Sequence, residues 1–234
     1  ERLLDRVARE LNLDRAEVRR RNFIAADEMP YATPVVTRDG KAMTYDSGDY
    51  PGAQAMVLEK SSYEGFEARR EVARTEGKYL GFGLANYVEG TGRGPFESAV
   101  VRVGSSGVVT VETGATSQGQ GIETALAQIA AGEIGVALSD VKVSMGDTAV
   151  VPYGLGAFAS RQAVTAGSSV SVAAQEVRAK ALKAASHMLE ASIGDLEIVA
   201  GDVRIKGSDR SLPIGDVAAA LAGQPGYAIP GGLP

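Results

Sequence analysis

The stretch that decides the fold, Thr113-Gly-Ala-Thr-Ser-Gln-Gly-Gln-Gly-Ile-Glu-Thr124, lies between a strand-like run and a helix-like run. Its glycines allow unusual backbone angles and let another molecule come close to the main chain. The N–H groups that open a helix have no partner within it, so they suit an anionic group. Gln120 adds two side-chain donors and one acceptor. The stretch predicts a polar cradle for a phosphate-bearing or heteroaromatic ligand, with an ordinary glycine-rich turn as the alternative.

Regular elements flank this stretch on both sides. Alternating residues predict a hairpin of two strands before it, and helical spacing predicts a helix from Ile122 to a stop at Gly135 after it. The later predictions are a strand at 141–145, a long helix at 163–192, a hairpin at 197–205 and a short helix ending near Leu221. This order predicts an α+β fold with a mixed β-sheet and helices packed on one face, and it does not match a Rossmann unit.

The N-terminal part is predicted to be helical and extended. Helical spacing covers residues 1–11, and Asp14 with Glu17 forms a capping-box pattern for a second helix. The run Arg19-Arg-Arg21 indicates a solvated face or a contact to another domain. Prolines and glycines predict an extended connector at 23–50. A third helical region, 53–74, is predicted to break near residues 63–65.

Two domains are predicted, because helical spacing gives way to strand-like runs after residue 76. Residues 1–76 would form the helical and extended segment, and residues 77–234 the α+β domain. The apolar and aromatic run at 79–88 is predicted to be the first strand of that second domain.

The composition excludes several classes of protein. The chain has 234 residues, 44% of them apolar, and a net charge of −5, which favours a globular protein that does not bind nucleic acid. It has no cysteine, so disulfides, thiolate zinc sites and iron–sulfur ligation within it are excluded. The only histidine, His187, is predicted to lie near a helix end, capping the dipole or facing solvent. No apolar run reaches membrane-spanning length, and a cytoplasmic location is expected.

The ends of the chain suggest a piece of a longer polypeptide. Glu1 starts inside a helical pattern without a preceding Met, and residues 223–234 form a loop rich in proline and glycine. A complete domain more often ends on a docked element or a charged tail, so we expect further sequence on both sides.

Three polar, glycine-rich loops are candidates for a binding site. They cover residues 89–95, 116–121 and 154–161, and each follows or connects predicted strands. Loops on a rigid sheet often carry function, so we expect the three to converge at one edge of the sheet.

Motifs in these loops follow a fixed order along the chain. They are Tyr87-Val-Glu-Gly-Thr-Gly-Arg-Gly-Pro-Phe-Glu97, Ser117-Gln-Gly-Gln-Gly-Ile-Glu-Thr124, Gly146-Asp-Thr148, Val151-Pro-Tyr-Gly-Leu-Gly156 and Ala157-Phe-Ala-Ser-Arg161. Together with Glu28-Met-Pro-Tyr31 and Tyr45-Asp-Ser-Gly-Asp-Tyr50, they resemble the molybdenum-binding large subunit of the xanthine dehydrogenase, aldehyde oxidase and carbon monoxide dehydrogenase family. The resemblance covers nearly the whole chain and implies the fold of a molybdenum-cofactor-binding domain.

The resemblance also implies an activity, a cofactor and partners. Family members hydroxylate an aldehyde, a purine or another N-heterocycle, or oxidise carbon monoxide, with oxygen from water at a molybdenum–pterin cofactor. That cofactor occurs as such or as its cytosine dinucleotide. Iron–sulfur clusters and FAD on other subunits or domains take the electrons. The implied partners are thus the rest of the large subunit, the FAD and iron–sulfur subunits and a small-molecule substrate.

The resemblance assigns five residues to the cofactor. Gly119, Gln120 and Gly121 would contact the pterin. Ala159 and Ser160 would lie near the metal and offer their backbone N–H groups, since small residues permit close approach.

Three further residues form a candidate substrate pocket. Glu89, Thr91 and Phe96 lie in a loop that resembles a wall of the family's substrate pocket, with a plain surface loop as the alternative.

No residue is assigned to catalysis or to direct metal ligation. The family's catalytic glutamate lies near the subunit's C-terminus and has no match here, and Glu97, Glu112 and Asp147 do not take its place. Part of the cofactor cradle is also missing, so the chain alone is expected to be inactive and to bind the cofactor weakly or not at all. Two alternatives stay open: a non-catalytic ligand-binding or interaction module with the same fold, and nucleotide binding through the glycine loops.

Overall fold

A computed structural model describes residues 1–37 and 40–222. The chain groups into two compact units, Glu1–Val88 and Glu89–Pro234. The predicted domain division after residue 76 stays a prediction, and the predicted tail at 223–234 lies outside the described residues.

The described residues of the first unit form helices and one antiparallel strand pair. Its elements are α1 (Arg2–Glu10), α2 (Arg15–Arg20), β1 (Tyr31–Val36), β2 (Ala42–Tyr45), α3 (Tyr50–Lys60) and α4 (Phe66–Thr75). A 3-10 turn at Tyr63–Gly65 separates α3 from α4, so the predicted break in the third helical region is confirmed.

Asp14 begins α2, as the capping pattern predicted. Its carboxylate accepts hydrogen bonds from the backbone N–H groups of Ala16 (2.8 Å) and Glu17 (3.0 Å). The other arm of the predicted capping box is not formed, because the Glu17 carboxylate pairs with Arg20 and Arg21. A helix start with its donors satisfied in this way is more stable than an uncapped one.

The Asp14→Ala variant is expected to lower the free energy of unfolding by about 1 kcal/mol, the usual effect of losing an N-cap. Burial raises the pKa of Asp14, but hydrogen bonds from Tyr63, Glu17 and Ala16 outweigh it and lower the pKa below its ordinary 3.8. The stabilisation is therefore present above pH 3.8 and is lost as the pH falls through the lower folded-state value. Urea unfolding of wild type and variant, above and below pH 3.8, measures both the loss of stability and its dependence on pH.

The control for this prediction is Asp27→Ala, which removes an exposed carboxylate from the same unit. An equal loss of stability in both variants, or a loss in Asp14→Ala that does not depend on pH, would contradict the prediction.

Three sequence predictions for this unit were wrong, and they concern the segment 23–50, Arg19 and the run at 79–88. The segment 23–50 is not wholly an extended connector, because β1 and β2 pair within it. The prediction of a solvated face or domain contact at 19–21 fails for Arg19, which is 2% exposed and pairs with Glu1 and Asp5. Arg20 and Arg21 keep exposed side chains.

The run at 79–88 is not a strand. Its polar backbone groups bond to side chains of the first helices: the carbonyl oxygens of Phe82 and Leu84 accept from Arg15 and Arg19, at 2.7 and 3.1 Å. Because the main chain has these partners, it does not need a neighbouring strand.

In its described residues, the second unit contains two three-stranded sheets and three α-helices. Its elements are β3 (Ala99–Val103), β4 (Val109–Thr113), α5 (Ile122–Ile134), β5 (Val141–Met145), α6 (Gln162–Leu189), β6 (Leu196–Val199), β7 (Asp202–Ile205), β8 (Ser211–Pro213) and α7 (Ile214–Leu221). Except for β8, these elements match the predicted ones. His187 lies exposed in the last turn of α6.

The first sheet of this unit is mixed, and helices cover one of its faces. β3 pairs antiparallel with β4, and β4 pairs parallel with β5. Val109 and Val111 point into a core with Leu126 of α5 and Val170 of α6, all four fully buried. Arg102, on the other face, is exposed. The predicted α+β architecture is thus confirmed.

β4, α5 and β5 form a strand–helix–strand unit with parallel strands. The stretch Gly114–Gly121 joins the end of β4 to the start of α5. Loops at this end of parallel strands commonly form binding sites, so the fold puts the glycine-rich stretch where a ligand can approach. Among the described residues, no helix has the length and apolar character needed to cross a membrane.

Candidate functional site

One cavity of the second unit collects residues from all three glycine-rich loops. Its volume is about 480 Å³. Its lining residues are Glu89, Gln118, Gln120, Gly121, Ile122, Ala125, Ala157, Phe158, Ala159, Ser160, Arg161, Gln162 and Ala163. The loops therefore converge as the sequence predicted.

The Gly-Gln-Gly turn is shaped by two glycines with positive φ. The φ angles are +93° at Gly119 and +77° at Gly121, a region that side chains with a Cβ rarely adopt. A Cβ placed at either glycine would meet nothing within 4 Å. The backbone here is therefore open to the close approach of another molecule.

A second turn faces the cavity with two non-glycine residues in the left-handed region. Ala159 and Ser160 have φ of +50° and +48°. Such angles cost about 1–3 kcal/mol and persist only where neighbours enforce them. Gly92 donates its N–H to the Ser160 carbonyl oxygen (3.2 Å), and the Ser160 hydroxyl donates to Glu89 (3.3 Å). In the described part of the chain, the N–H groups of Ala159 and Ser160 find no acceptor.

Two helices start at the cavity without a side-chain cap. α5 begins after Gly121, which has no side chain, and α6 begins after Arg161, whose guanidinium has no acceptor atom, so neither residue caps its helix. The first N–H groups of both helices thus lack a partner within the helix, and both positive dipole ends lie at the cavity. This arrangement favours an anionic group such as a phosphate.

Three glutamine side chains connect the two turns. Gln120 donates from Nε2 to Oε1 of Gln162 (2.5 Å), and its own Oε1 accepts from the backbone N–H of Gln118 (2.6 Å). Gln162 donates from Nε2 to the Thr116 carbonyl oxygen (2.7 Å), and Gln118 to that of Ala157 (3.3 Å). These amides hold the Gly-Gln-Gly turn against the residues of the Ala159–Ser160 turn and the start of α6.

A buried ion pair stabilises the second turn, which contains Ala159 and Ser160. The side chains of Arg161 and Glu97 form a salt bridge and are both 0% exposed. The Arg161 guanidinium also donates to the carbonyl oxygens of Arg93 (3.1 Å) and Gly156 (3.2 Å) and lies 5.1 Å from the ring centre of Phe158. Arg161 thus joins the loop before β3 to the residues that precede α6.

Gly114 and Gly154 bring the ends of two loops into contact. A Cβ on Gly154 would lie 2.3 Å from the carbonyl oxygen of Gly114, and a Cβ on Gly114 would lie 2.1 Å from that of Tyr153. Only glycine fits at these two positions, which explains why the loop after β4 can lie directly against the loop that leads to α6.

Five of the eight residues predicted for the site line the cavity. These are Gln120, Gly121, Ala159, Ser160 and Glu89. Gly119 lies between the lining residues Gln118 and Gln120.

Thr91 and Phe96 do not line this cavity. Phe96 is 68% exposed and stacks on Tyr153, with ring centres 4.9 Å apart. The structure therefore brings Glu89 to the cavity that the two turns line, and leaves Thr91 and Phe96 outside it.

Gln118 and Gln162 were not among the candidates. Gln162 is 6% exposed, and a buried amide needs hydrogen-bond partners. Its place directly after the Ala157–Arg161 motif was a usable signal, because the first residue of a helix lies beside unpaired N–H groups.

The chain matches the family described as "Molybdopterin cofactor-binding domain" over residues 56–229. It is 35% identical to the carbon monoxide dehydrogenase large chain of Hydrogenophaga pseudoflava, covering 100% of this chain and 30% of that one. It is 38% identical to the 6-hydroxypseudooxynicotine dehydrogenase complex subunit gamma of Paenarthrobacter nicotinovorans, covering 94% and 28%.

A solved structure has a similar fold. The crystal structure of quinoline 2-oxidoreductase from Pseudomonas putida 86 matches with a TM-score of 0.69 and 38% identity, covering 97% of this chain and 30% of that one. The chain spans about 30% of the length of the relatives it matches. The relatives' names describe parts of multi-subunit enzymes.

Proposed function

The chain belongs to the molybdopterin cofactor-binding domain family, and from this premise we propose that it forms part of the molybdenum–pterin site in the large subunit of a molybdenum hydroxylase. The family match confirms the resemblance inferred from the motifs. The observation that carries the proposal is the convergence of the Gly-Gln-Gly turn and the Ala159–Ser160 turn on one cavity.

The cavity fits such a cofactor in its chemistry. A molybdenum–pterin carries a phosphate and a heterocycle with donor and acceptor edges. The cavity offers the unpaired N–H groups of two helix starts and of Ala159 and Ser160, together with three side-chain amides. Its cationic residue, Arg161, is already neutralised by Glu97. Binding thus relies on neutral donors, which recognise both an anion and a heterocycle edge.

The residues of this chain bind and orient the cofactor. The N–H groups at the starts of α5 and α6 would hold the phosphate, and Gln120 would hold the pterin edge. Ala159 and Ser160, which have no bulky side chains, would let the main chain approach the metal end closely. When bound, the cofactor supplies two-electron oxidation of a substrate carbon with oxygen from water. A glutamate elsewhere in the subunit would supply the base.

The partners and the substrate belong to the same proposal. We infer that iron–sulfur and FAD subunits accept the electrons, and that Glu89 contributes a polar wall on the substrate side. Thr91 and Phe96 remain proposed substrate-pocket residues. Because they lie outside the cavity, another part of the subunit would have to complete the pocket around them. A cytoplasmic location stays a prediction.

The Gln120→Ala variant of the full enzyme is expected to lower molybdenum and pterin content while leaving the fold intact. Gln120 lies on an exposed turn, and one hydrogen bond contributes about 0.5–1.5 kcal/mol, so cofactor affinity should fall roughly two- to tenfold. Elemental analysis for molybdenum, pterin fluorescence and circular dichroism measure these quantities.

The matched control is Gln175→Ala, which removes an exposed amide on α6 that bonds to Glu133 instead of lining the cavity. Wild-type occupancy and turnover in Gln120→Ala would remove this residue from the site.

A further inference from the structure

Gln162 joins α6 to the Gly-Gln-Gly turn through both ends of its amide. Its Nε2 donates to the Thr116 carbonyl oxygen at 2.7 Å, and its Oε1 accepts from Nε2 of Gln120 at 2.5 Å. The side chain is buried, with 6% of the residue exposed. A buried amide with two short bonds has little freedom to turn.

Backbone groups at both ends fix the orientation of these two amides. The Thr116 carbonyl oxygen can only accept, so it must face the NH₂ group of Gln162 and leave Oε1 for Gln120. The backbone N–H of Gln118 can only donate, so it must face Oε1 of Gln120. Both constraints require Gln120 to present Nε2 to Gln162, and reversing either amide would put two donors or two acceptors together.

This orientation decides what Gln120 can offer to a ligand. Its Oε1 already accepts a bond of 2.6 Å from Gln118. Its Nε2 carries two hydrogens, and Gln162 takes only one. The group that remains at the cavity wall is therefore a hydrogen-bond donor.

We propose that Gln162 is a positioning residue that sets the amide of Gln120 so that its N–H meets the cofactor, and that the cofactor atom there is an acceptor. A carbonyl oxygen, a ring nitrogen or a phosphate oxygen meets this requirement, whereas an amino group does not. The inference rests on the proposed cofactor-binding function, which it makes specific at one atom.

The test uses the Gln162→Glu variant of the full enzyme with its partner subunits. When the introduced carboxyl group is protonated, it can donate to Thr116 and accept from Gln120, as glutamine does. When it is ionised, it can only accept, and it faces the Thr116 carbonyl oxygen. We expect near wild-type molybdenum and pterin content after dialysis at about pH 5 and roughly fivefold less at about pH 8, the factor for the loss of one hydrogen bond.

Other ionisable groups around this position are common to both proteins. Glu89 lines the cavity, Arg161 is paired with Glu97, and Glu123 lies exposed in the first turn of α5. Because these groups are identical in wild type and variant, the ratio of cofactor content between the two isolates the effect of the new carboxyl group.

Two further variants make the test decisive. Gln162→Leu keeps a similar size and cannot bond at either pH, so its cofactor content should be about fivefold below wild type at both. Gln128→Glu places the same carboxyl group on the exposed face of α5, away from the cavity, and should follow wild type.

Different outcomes test the positioning role of Gln162 and the cofactor-binding function on which it rests. A wild-type enzyme without molybdenum or pterin would overturn the proposed function. A loaded wild type with equally loaded Gln162→Leu and Gln162→Glu variants at both pH values would overturn the positioning role and leave the proposed function standing. Circular dichroism at each pH checks that every variant is folded.

Discussion

Replacing Glu97 by glutamine is expected to lower the free energy of unfolding by about 3–5 kcal/mol, because the Arg161 guanidinium then stays buried without a counter-charge. Both side chains are 0% exposed. A charge in such a place cannot regain its hydration while the chain remains folded, so breaking the pair is far more costly than breaking one at the surface.

The change should loosen the turn at Ala159 and Ser160 as well as lower the global stability. Glu97 also accepts the backbone N–H of Leu155 (3.0 Å), and Arg161 follows directly after the left-handed Ala159 and Ser160. Loosening this pair removes the support that holds two unfavourable backbone angles. Urea unfolding followed by circular dichroism measures the stability, and hydrogen exchange at residues 154–161 measures the local loosening.

A surface ion pair provides the control. Arg102 and Glu112 form a salt bridge across β3 and β4, with 57% and 20% of their side chains exposed. Glu112→Gln should cost at most about 1 kcal/mol. If Glu97→Gln costs no more than that control, the buried pair does not hold the turn and this account of the site's rigidity is wrong.

Replacing Gly154 by alanine is expected to force apart the two loops that meet at the cavity. The new Cβ would lie 2.3 Å from the carbonyl oxygen of Gly114. That oxygen belongs to the backbone, which cannot move aside without shifting the whole loop. Overpacking of this kind costs about 1–3 kcal/mol. We expect a lower melting temperature and, in the full enzyme, a loss of molybdenum and pterin larger than in Gln120→Ala.

The matched control is Gly132→Ala on the exposed face of α5. A Cβ there meets nothing within 4 Å, and glycine inside a helix is less stable than alanine by about 0.5–1 kcal/mol. This variant should therefore be stabilised. Unchanged stability and cofactor content in Gly154→Ala would show that the two loops can separate without consequence.

Elements whose packing is local or strongly periodic could be predicted from the sequence. α5 was correct in type and in both ends, because its apolar spacing and Gly135 are local signals. Along α6, Val170, Ala174 and Ala181 occupy the predicted apolar stripe and are buried. Here the local preference and the tertiary packing agree.

The errors lie where distant residues decide the structure. The run at 79–88 has a strand-like composition, yet Arg15 and Arg19 bond to its carbonyl oxygens from more than sixty residues away. Arg19 looked like one of three surface charges, but Glu1 and Asp5 make its burial possible. Neither pairing leaves a periodic trace in the sequence.

In the candidate site, too, local features could be predicted and long-range contacts could not. The two turns could be predicted because glycine and small-residue motifs are contiguous. Gln120 meets Gln162 across 42 positions, and Arg161 meets Glu97 across 64, so the contacts that orient the turns appear only when the chain is folded. Motifs identify which residues can face a ligand, whereas long-range polar pairs determine how they face it.

The most direct test of the central claim is the cofactor content of the native polypeptide that contains this chain. An antibody to the chain captures that polypeptide from its native host, and its mass, molybdenum, pterin, iron and flavin are then measured. We expect a subunit much longer than 234 residues, with molybdenum and pterin near one per subunit and iron and flavin on associated subunits. A captured polypeptide without molybdenum or pterin would contradict the claim and favour a non-catalytic module with the same fold.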